Sequence, residues 1–254
     1  MTAPIALQLY TVRELLKDDF EGVIKRIADI GYAGVETAGF PEGVSAADAA
    51  ALFADCGLTV AAAHVPLPLG DDEGPVLEMA AQLGIQRIVI GYLPAEEYAD
   101  LASTRRVCAR LNQAGAVAAA HGLSLGVHNH WWEFQKVDGV FPYQLWLDEL
   151  DPAVFFELDT YWMQSAGADP LAMVELFGRR APLLHIKDGP AGPDTSADMV
   201  AVGDGNVDYP PIIAAADGSA EWLIVELDRC AGDMMTAVER SYRYLVGEGL
   251  GHGR

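Results

Sequence analysis

The chain has 254 residues, 51% of them hydrophobic and 21% charged, enough apolar side chain to bury one substantial core. Its 37 acidic residues against 16 Lys and Arg give a formal net charge of −21, which repels phosphate backbones and anionic lipid and argues against nucleic-acid or membrane-surface binding. No run approaches the roughly 18 uninterrupted apolar residues of a membrane span, the start Met1-Thr2-Ala3-Pro4 opens no basic-then-apolar leader, and Cys56, Cys108 and Cys230 stand far apart with no CxxC pair, so a soluble cytoplasmic protein with small apolar cysteines is expected.

In chain order, short apolar runs at 5–9, 34–37, 58–63, 87–90, 124–128, 154–158, 183–186 and 223–227 predict strands covered on both faces. Helical patterns fill the intervals, at about 17–30, 45–55, 73–83, 97–121, 141–149, 169–178, 209–216 and 233–246. Gly31, Gly57, Gly84 and Gly122 each end a helical run ahead of a strand, as C-terminal capping glycines do. Eight β-then-α units in a chain of this length predict an α/β protein, a single-domain (β/α)8 barrel over 1–254. The doubly wound alternative usually carries a glycine-rich turn after its first strand; here that strand runs into Gln8-Leu9-Tyr10-Thr11-Val12-Arg13, and no GxGxxG or GxxxxGK[ST] occurs. The long irregular stretch 188–207 follows the seventh strand and reads as a candidate lid, and the glycine-rich 247–254 reads as a frayed tail.

Chemistry in such a barrel collects at the C-terminal strand ends. Strand two ends in Glu36 and strand three in His64. Strand five ends in His128-Asn129-His130, followed by Trp131-Trp132-Glu133. Strands six, seven and eight end in Glu157-Leu158-Asp159, His185-Ile186-Lys187-Asp188 and Glu226-Leu227-Asp228. Alternation puts Glu157 with Asp159, His185 with Lys187, and Gly126 with His128 and His130. Polar groups aimed into a barrel mouth must pair, bind a ligand or coordinate a metal. Asp159, His185 and Glu226 suit a divalent cation such as Mn, Mg, Co or Zn. A salt-bridge network is the alternative, although ion pairs alone stabilise a core poorly. Trp131, Trp132 and Trp162 are either packing residues or an aromatic wall beside a sugar ring.

The ordered set QLYTVR (8–13), GYAGVE (31–36), HNHWWEF (128–134), ELDTYW (157–162), AGADP (166–170), HIKDG (185–189), GDGNVDY (203–209) and IVELD (224–228) resembles the sugar phosphate isomerase/epimerase family of xylose isomerase-like TIM barrels, over essentially the whole chain. The HNHxxEF and ELDTYW forms are similar to a subgroup that handles keto-inositols and keto-glycosides. The resemblance implies a metal held by Glu, Asp, His and Glu of strands five to eight. Asp159, His185 and Glu226 match. The strand-five glutamate, expected three residues before Asn129, falls on Gly126, which leaves Glu157 or His130 to complete the set. A histidine found in some members three residues after the Asp is Trp162 here.

A metal chelating a hydroxyl and a neighbouring carbonyl acidifies the carbon between them, after which isomerisation, epimerisation or elimination can follow. Glu226 or His130 is the expected base, with Lys187 as acid or oxyanion partner, or else as an ion-pair partner of Asp188 or Glu157. Glu36, His64, His128, Asn129, Glu133 and Trp162 are the expected substrate contacts. The resulting expectation is a metal-dependent isomerase or epimerase of a small, unphosphorylated sugar or polyol, with homo-oligomers implied by the resemblance. The alternatives are a lyase or dehydratase on a keto-inositol or keto-glycoside, and a non-catalytic carbohydrate-binding barrel. An endonuclease on abasic DNA shares the fold, but the charge of −21 opposes it.

Overall fold

Eight parallel strands pair in sequence order and close on themselves in the computed structural model, which describes residues 2–254. The strands are β1 (Ile5–Gln8), β2 (Gly34–Thr37), β3 (Thr59–Val65), β4 (Arg87–Ile90), β5 (Ser124–His128), β6 (Phe155–Asp159), β7 (Leu183–Ile186) and β8 (Trp222–Val225). Each lies within about two residues of its predicted place. Continuous Val, Ile and Leu in short runs is what a sheet buried on both faces requires.

The helices in order are α1 (Arg13–Asp18), α2 (Phe20–Ile30), α3 (Ala46–Asp55), α4 (Glu73–Leu83), α5 (Leu101–Ala120), α6 (Pro142–Glu149), α7 (Thr160–Ser165), α8 (Pro170–Phe177), α9 (Tyr209–Ala215) and α10 (Met234–Gly247). The single helix expected over 17–30 is two, because the Asp19 carboxylate accepts the Gly22 N–H at 2.9 Å and starts α2 afresh. The α7 turn was not foreseen: it begins directly at the end of β6, with Asp159 as its cap. Gly31, Gly57, Gly84 and Gly122 all take the left-handed conformation expected of helix-ending glycines.

Two apolar layers form the core. The inner one fills the barrel with Ala6, Ala61, Ala62, Val89, Phe155, Leu183 and Ile224. The outer one lies between strands and helices. Small residues on β1 and β3 leave room for the Phe155 ring, which occupies the space beside Gly126: a Cβ there would sit 2.2 Å from it.

Two expectations are corrected. The segment 247–254 is not frayed. The His252 carbonyl accepts the Ile5 N–H at 2.9 Å, the His252 N–H donates to Ala3 at 3.1 Å, and Arg254 donates to the carbonyls of Gly31 and Ala28. The stretch 188–207 is not a lid. The Asp188 carboxylate accepts the N–H groups of Gly189, Gly203, Gly205 and Val207 at 2.8–3.2 Å and gathers the loop onto its own base. Met199 and Val202 are buried, and the Val202 N–H donates to Ser241 on α10.

Candidate active site

The strand ends open into a cavity of about 1020 Å³. Register decides which side chains meet there. His128 on β5 is level with Glu157 on β6, and Asp159 on β6 with His185 on β7.

His185 is the hub. Its Nε2 lies 2.7 Å from Glu36 and 3.1 Å from Glu157, and its Nδ1 lies 2.8 Å from Glu226. Burial opposes charge on this ring, yet Glu157, Glu226 and Glu36 outweigh it and hold its pKa well above the ordinary histidine value. The arrangement demands positive charge at this point. Gln8 donates to Glu36 at 2.7 Å from the β1 side. Burial and the charge of Glu157 push Glu36 up to about 7.

Lys187 sits 2.8 Å from Glu226 and 3.1 Å from both Asp159 and Asp228. Burial disfavours the ammonium, but these carboxylates keep it charged, with a pKa well above the usual lysine value. The alternative reading of Lys187, an ion pair with Asp188 or Glu157, is thus corrected: its partners are Asp159, Glu226 and Asp228. Asp188 is engaged by the loop it organises. Burial would raise Glu226, but Lys187 and His185 pull it well below the usual carboxylate range.

Two overlapping groups of donor atoms lie within 4.8 Å of one another: His128, Asp159, His185 and Glu226, and His64, His128, Glu157 and His185. The first fits a divalent cation better. One oxygen of Asp159 is fixed by the Trp162 N–H at 2.9 Å, while the buried Oδ2 faces the Lys187 ammonium at 3.1 Å and the His128 ring at 3.8 Å. Burial raises Asp159 to about 6 and lowers His128 to about 3, so His128 is a neutral imidazole with a lone pair to give. In the second group, the Glu157 Oε2 is already approached by His64, His128 and His185 at 2.6–3.1 Å.

Three expected ligands, Asp159, His185 and Glu226, thus come together with His128 beside them; Glu157 belongs to the second group, and His130 to neither. His130 stacks on Trp132 at 4.3 Å; burial keeps its ring well below the ordinary histidine pKa, and its Nδ1 is unpaired.

Of the expected substrate contacts, His64, His128 and Trp162 line the cavity, as do His130, Lys187 and Glu226. Glu36, Asn129 and Glu133 do not. Glu36 lies behind His185. Asn129 bonds to the backbone of Asp159, and the Glu133 carboxylate accepts the His130 N–H at 2.8 Å. Their partners are protein groups, which removes them from the surface a substrate meets. Trp131 and Trp132 join Trp162 on one wall. Unforeseen on the rim are Tyr10, Arg13, Tyr92 and Asp228. For Tyr10 and Arg13 a signal existed, since QLYTVR leaves β1 with an aromatic and a cation at the mouth end. No residue of 188–207 lines the cavity among the described residues, and no described helix is long and apolar enough to cross a membrane.

The family model for xylose isomerase-like TIM barrels matches residues 24–245. A sugar phosphate isomerase/epimerase from Parabacteroides distasonis superposes with a TM-score of 0.81 at 26% identity, over 96% of this chain and 94% of that one. An L-ribulose 3-epimerase shares the fold at 18% identity (TM-score 0.71, 98% of this chain and 94% of that one). So does the IolI protein, solved with a zinc atom, at 16% identity (TM-score 0.73, 96% and 98%). No curated protein matches the chain by sequence.

Proposed function

Because the chain belongs to the xylose isomerase-like TIM barrel family, we propose that it is a divalent-metal-dependent isomerase or epimerase of a sugar or polyol, acting through proton abstraction next to a carbonyl. The observation that carries this reading is the convergence of His128, Asp159, His185 and Glu226 within 4.8 Å beside a protonated Lys187. Held by these four residues, a divalent cation such as Mn, Mg, Co or Zn supplies Lewis acidity to a substrate hydroxyl and its neighbouring carbonyl.

The chain's own groups do the rest. Lys187, fixed by three carboxylates, holds a positive charge against the oxygen on which negative charge develops. His130 lines the cavity as a neutral imidazole and is one candidate base; Glu226 is the second, ionised and at the cavity floor. Trp131, backed by the buried Trp132 and Trp162, forms an apolar wall beside the sugar ring and keeps water off that side.

One observation favours a lyase or dehydratase on a keto-inositol or keto-glycoside as the second reading. Epimerisation by a pair of metal-held glutamates needs one on each side of the reacting carbon. The β5 position for the first is Gly126, and the Phe155 ring excludes any side chain there. Glu226 is the one glutamate left in the donor set, which suits removal of a proton followed by loss of a β-substituent.

The test is elemental analysis of chelator-free protein, followed by proton NMR of trial ketoses and keto-inositols in D2O. About one metal per chain, lost in Asp159→Ala, with exchange of the proton beside the carbonyl, supports the proposal. An olefinic or ring-opened product identifies the lyase. No bound metal after incubation with Mn²⁺ overturns both and leaves a carbohydrate-binding barrel.

A further inference from the structure

Few large apolar side chains of this protein reach solvent, and two of them face the same cavity: Tyr92, 64% exposed at the end of β4, and Tyr10, 43% exposed at the end of β1. Tyr32, Tyr98 and Tyr161 are buried, and what sets Tyr92 and Tyr10 apart from the other exposed apolar side chains, Leu15, Leu176 and Val246, is that both line the cavity. Both rings are held in place. Tyr92 stands edge-on to His130 and Trp132, at centroid distances of 5.4 and 5.9 Å. The Arg13 guanidinium stacks 3.9 Å over Tyr10 and is itself tied to the carbonyls of Tyr10 and Asp228. Three strand positions separate β1 from β4 around the ring, so the two tyrosines flank the mouth rather than touch.

The cavity is also larger than one sugar needs. Its 1020 Å³ stands at the top of the roughly 300–1,000 Å³ that encloses a drug-sized ligand. A hexose, with about a dozen heavy atoms, is smaller than such a ligand. The polar groups that handle the reacting carbons, His128, Lys187 and Glu226, lie at the floor, and the wall of Trp162, Trp131 and Trp132 leads outward from them: Lys187 Nζ is 5.4 Å from the Trp162 centroid, Trp162 is 4.7 Å from Trp131, and Trp131 is 4.6 Å from Trp132. Tyr92 is the outer end of that wall.

We infer that the rim between Tyr92 and Tyr10 is a second subsite, and that the ligand is a glycoside whose second ring, sugar or aryl, stacks on the face of Tyr92 while the first ring occupies the floor. The inference rests on the floor being a sugar site, as in the proposed function, but not on metal dependence. A pyranose ring and an aromatic ring share the chemistry used here, a flat apolar face with no charge. The Tyr92 and Tyr10 hydroxyls have no hydrogen-bond partner among the described residues and remain free for the hydroxyls of a second sugar.

The test is a calorimetric or tryptophan-fluorescence titration of the whole protein with glucose, phenyl β-glucoside and cellobiose. A two-ring ligand is expected to bind at least tenfold more tightly than glucose. Tyr92→Ala should remove most of that advantage, and Tyr92→Phe should keep the part that stacking supplies. Preference for the phenyl glucoside assigns the subsite to an aryl group, and preference for cellobiose to a second sugar. Equal affinity for one-ring and two-ring ligands, or a two-ring advantage that survives Tyr92→Ala, overturns the subsite. Metal loss with the two-ring preference intact sinks the proposed reaction and leaves the subsite standing; metal binding with no such preference does the reverse.

Discussion

Asn129 grips the backbone of Asp159 at both ends of one residue: its Oδ1 accepts the Asp159 N–H at 2.9 Å and its Nδ2 donates to the Asp159 carbonyl at 3.1 Å. The side chain spans from β5 to β6 and sets the height at which the Asp159 carboxylate enters the mouth. Asn129→Ala removes one partner from each of these backbone groups and loosens the proposed ligand. Affinity for Mn²⁺ or Zn²⁺ should fall by about 10–100-fold, as for other supports of metal ligands. Titration with a metallochromic indicator reads this directly. Unchanged affinity in a folded variant would remove Asp159 from the donor set.

Glu133 predicts a pH dependence of stability. Burial raises it to about 8, whereas a glutamate in an unfolded chain titrates near 4.3. Between those values the native protein keeps a proton that the unfolded chain has released. The contribution is complete below about pH 4 and is lost as the pH climbs toward 8. Glu133→Gln keeps an acceptor for the His130 N–H and abolishes the titration. Melting curves from pH 5 to 9 should show the variant gaining on the wild type as pH rises, by a few degrees. Parallel profiles would mean that Glu133 takes up no proton on folding.

Asp188 should be worth more than any surface charge. Asp188→Ala strands four N–H groups, those of Gly189, Gly203, Gly205 and Val207. Gly189 and Val207 are buried whereas Gly203 and Gly205 are exposed and can turn to water, so the cost comes mainly from two groups, at about 1–3 kcal/mol for each buried unsatisfied one. Amide exchange at these four positions should accelerate while the β-strand amides of the barrel stay protected. Uniform acceleration everywhere would point to global rather than local loss.

Gly126→Ala should destabilise by about 1–3 kcal/mol through overpacking, since its Cβ meets the Phe155 ring at 2.2 Å. Phe155→Leu in the same chain should recover part of that loss. Denaturant titrations of the two single variants and the double variant measure the coupling. Additive losses would show that the two positions do not compete for one space.

Much of this was legible in the residues, and the exceptions have physical causes. The strands could be read because both faces are apolar, and Asp159, His185 and Glu226 because period-2 alternation assigns their face. The fourth donor could not. Placing His128 near Asp159 and Glu226 depends on the stagger between neighbouring strands, which the sequence of one strand does not contain. Asn129 and Glu133 look like substrate contacts because they are polar and sit at a strand end, yet each satisfies a backbone group three or more residues away. The helix α7 stayed hidden because Asp159 ends a strand and caps a helix at once. Stretch 188–207 looked like a lid from its length and its place after the seventh strand. The carboxylate that ties it down is a single residue, Asp188, whose reach to Gly205 only the folded chain displays.

That tie has a kinetic consequence. With the longest irregular segment stapled to its own base, no long flap has to swing before a ligand reaches the floor. Arrival and departure are then governed by diffusion through a standing opening rather than by a conformational clock. Binding should follow a single phase whose rate scales with ligand concentration and falls with solvent viscosity.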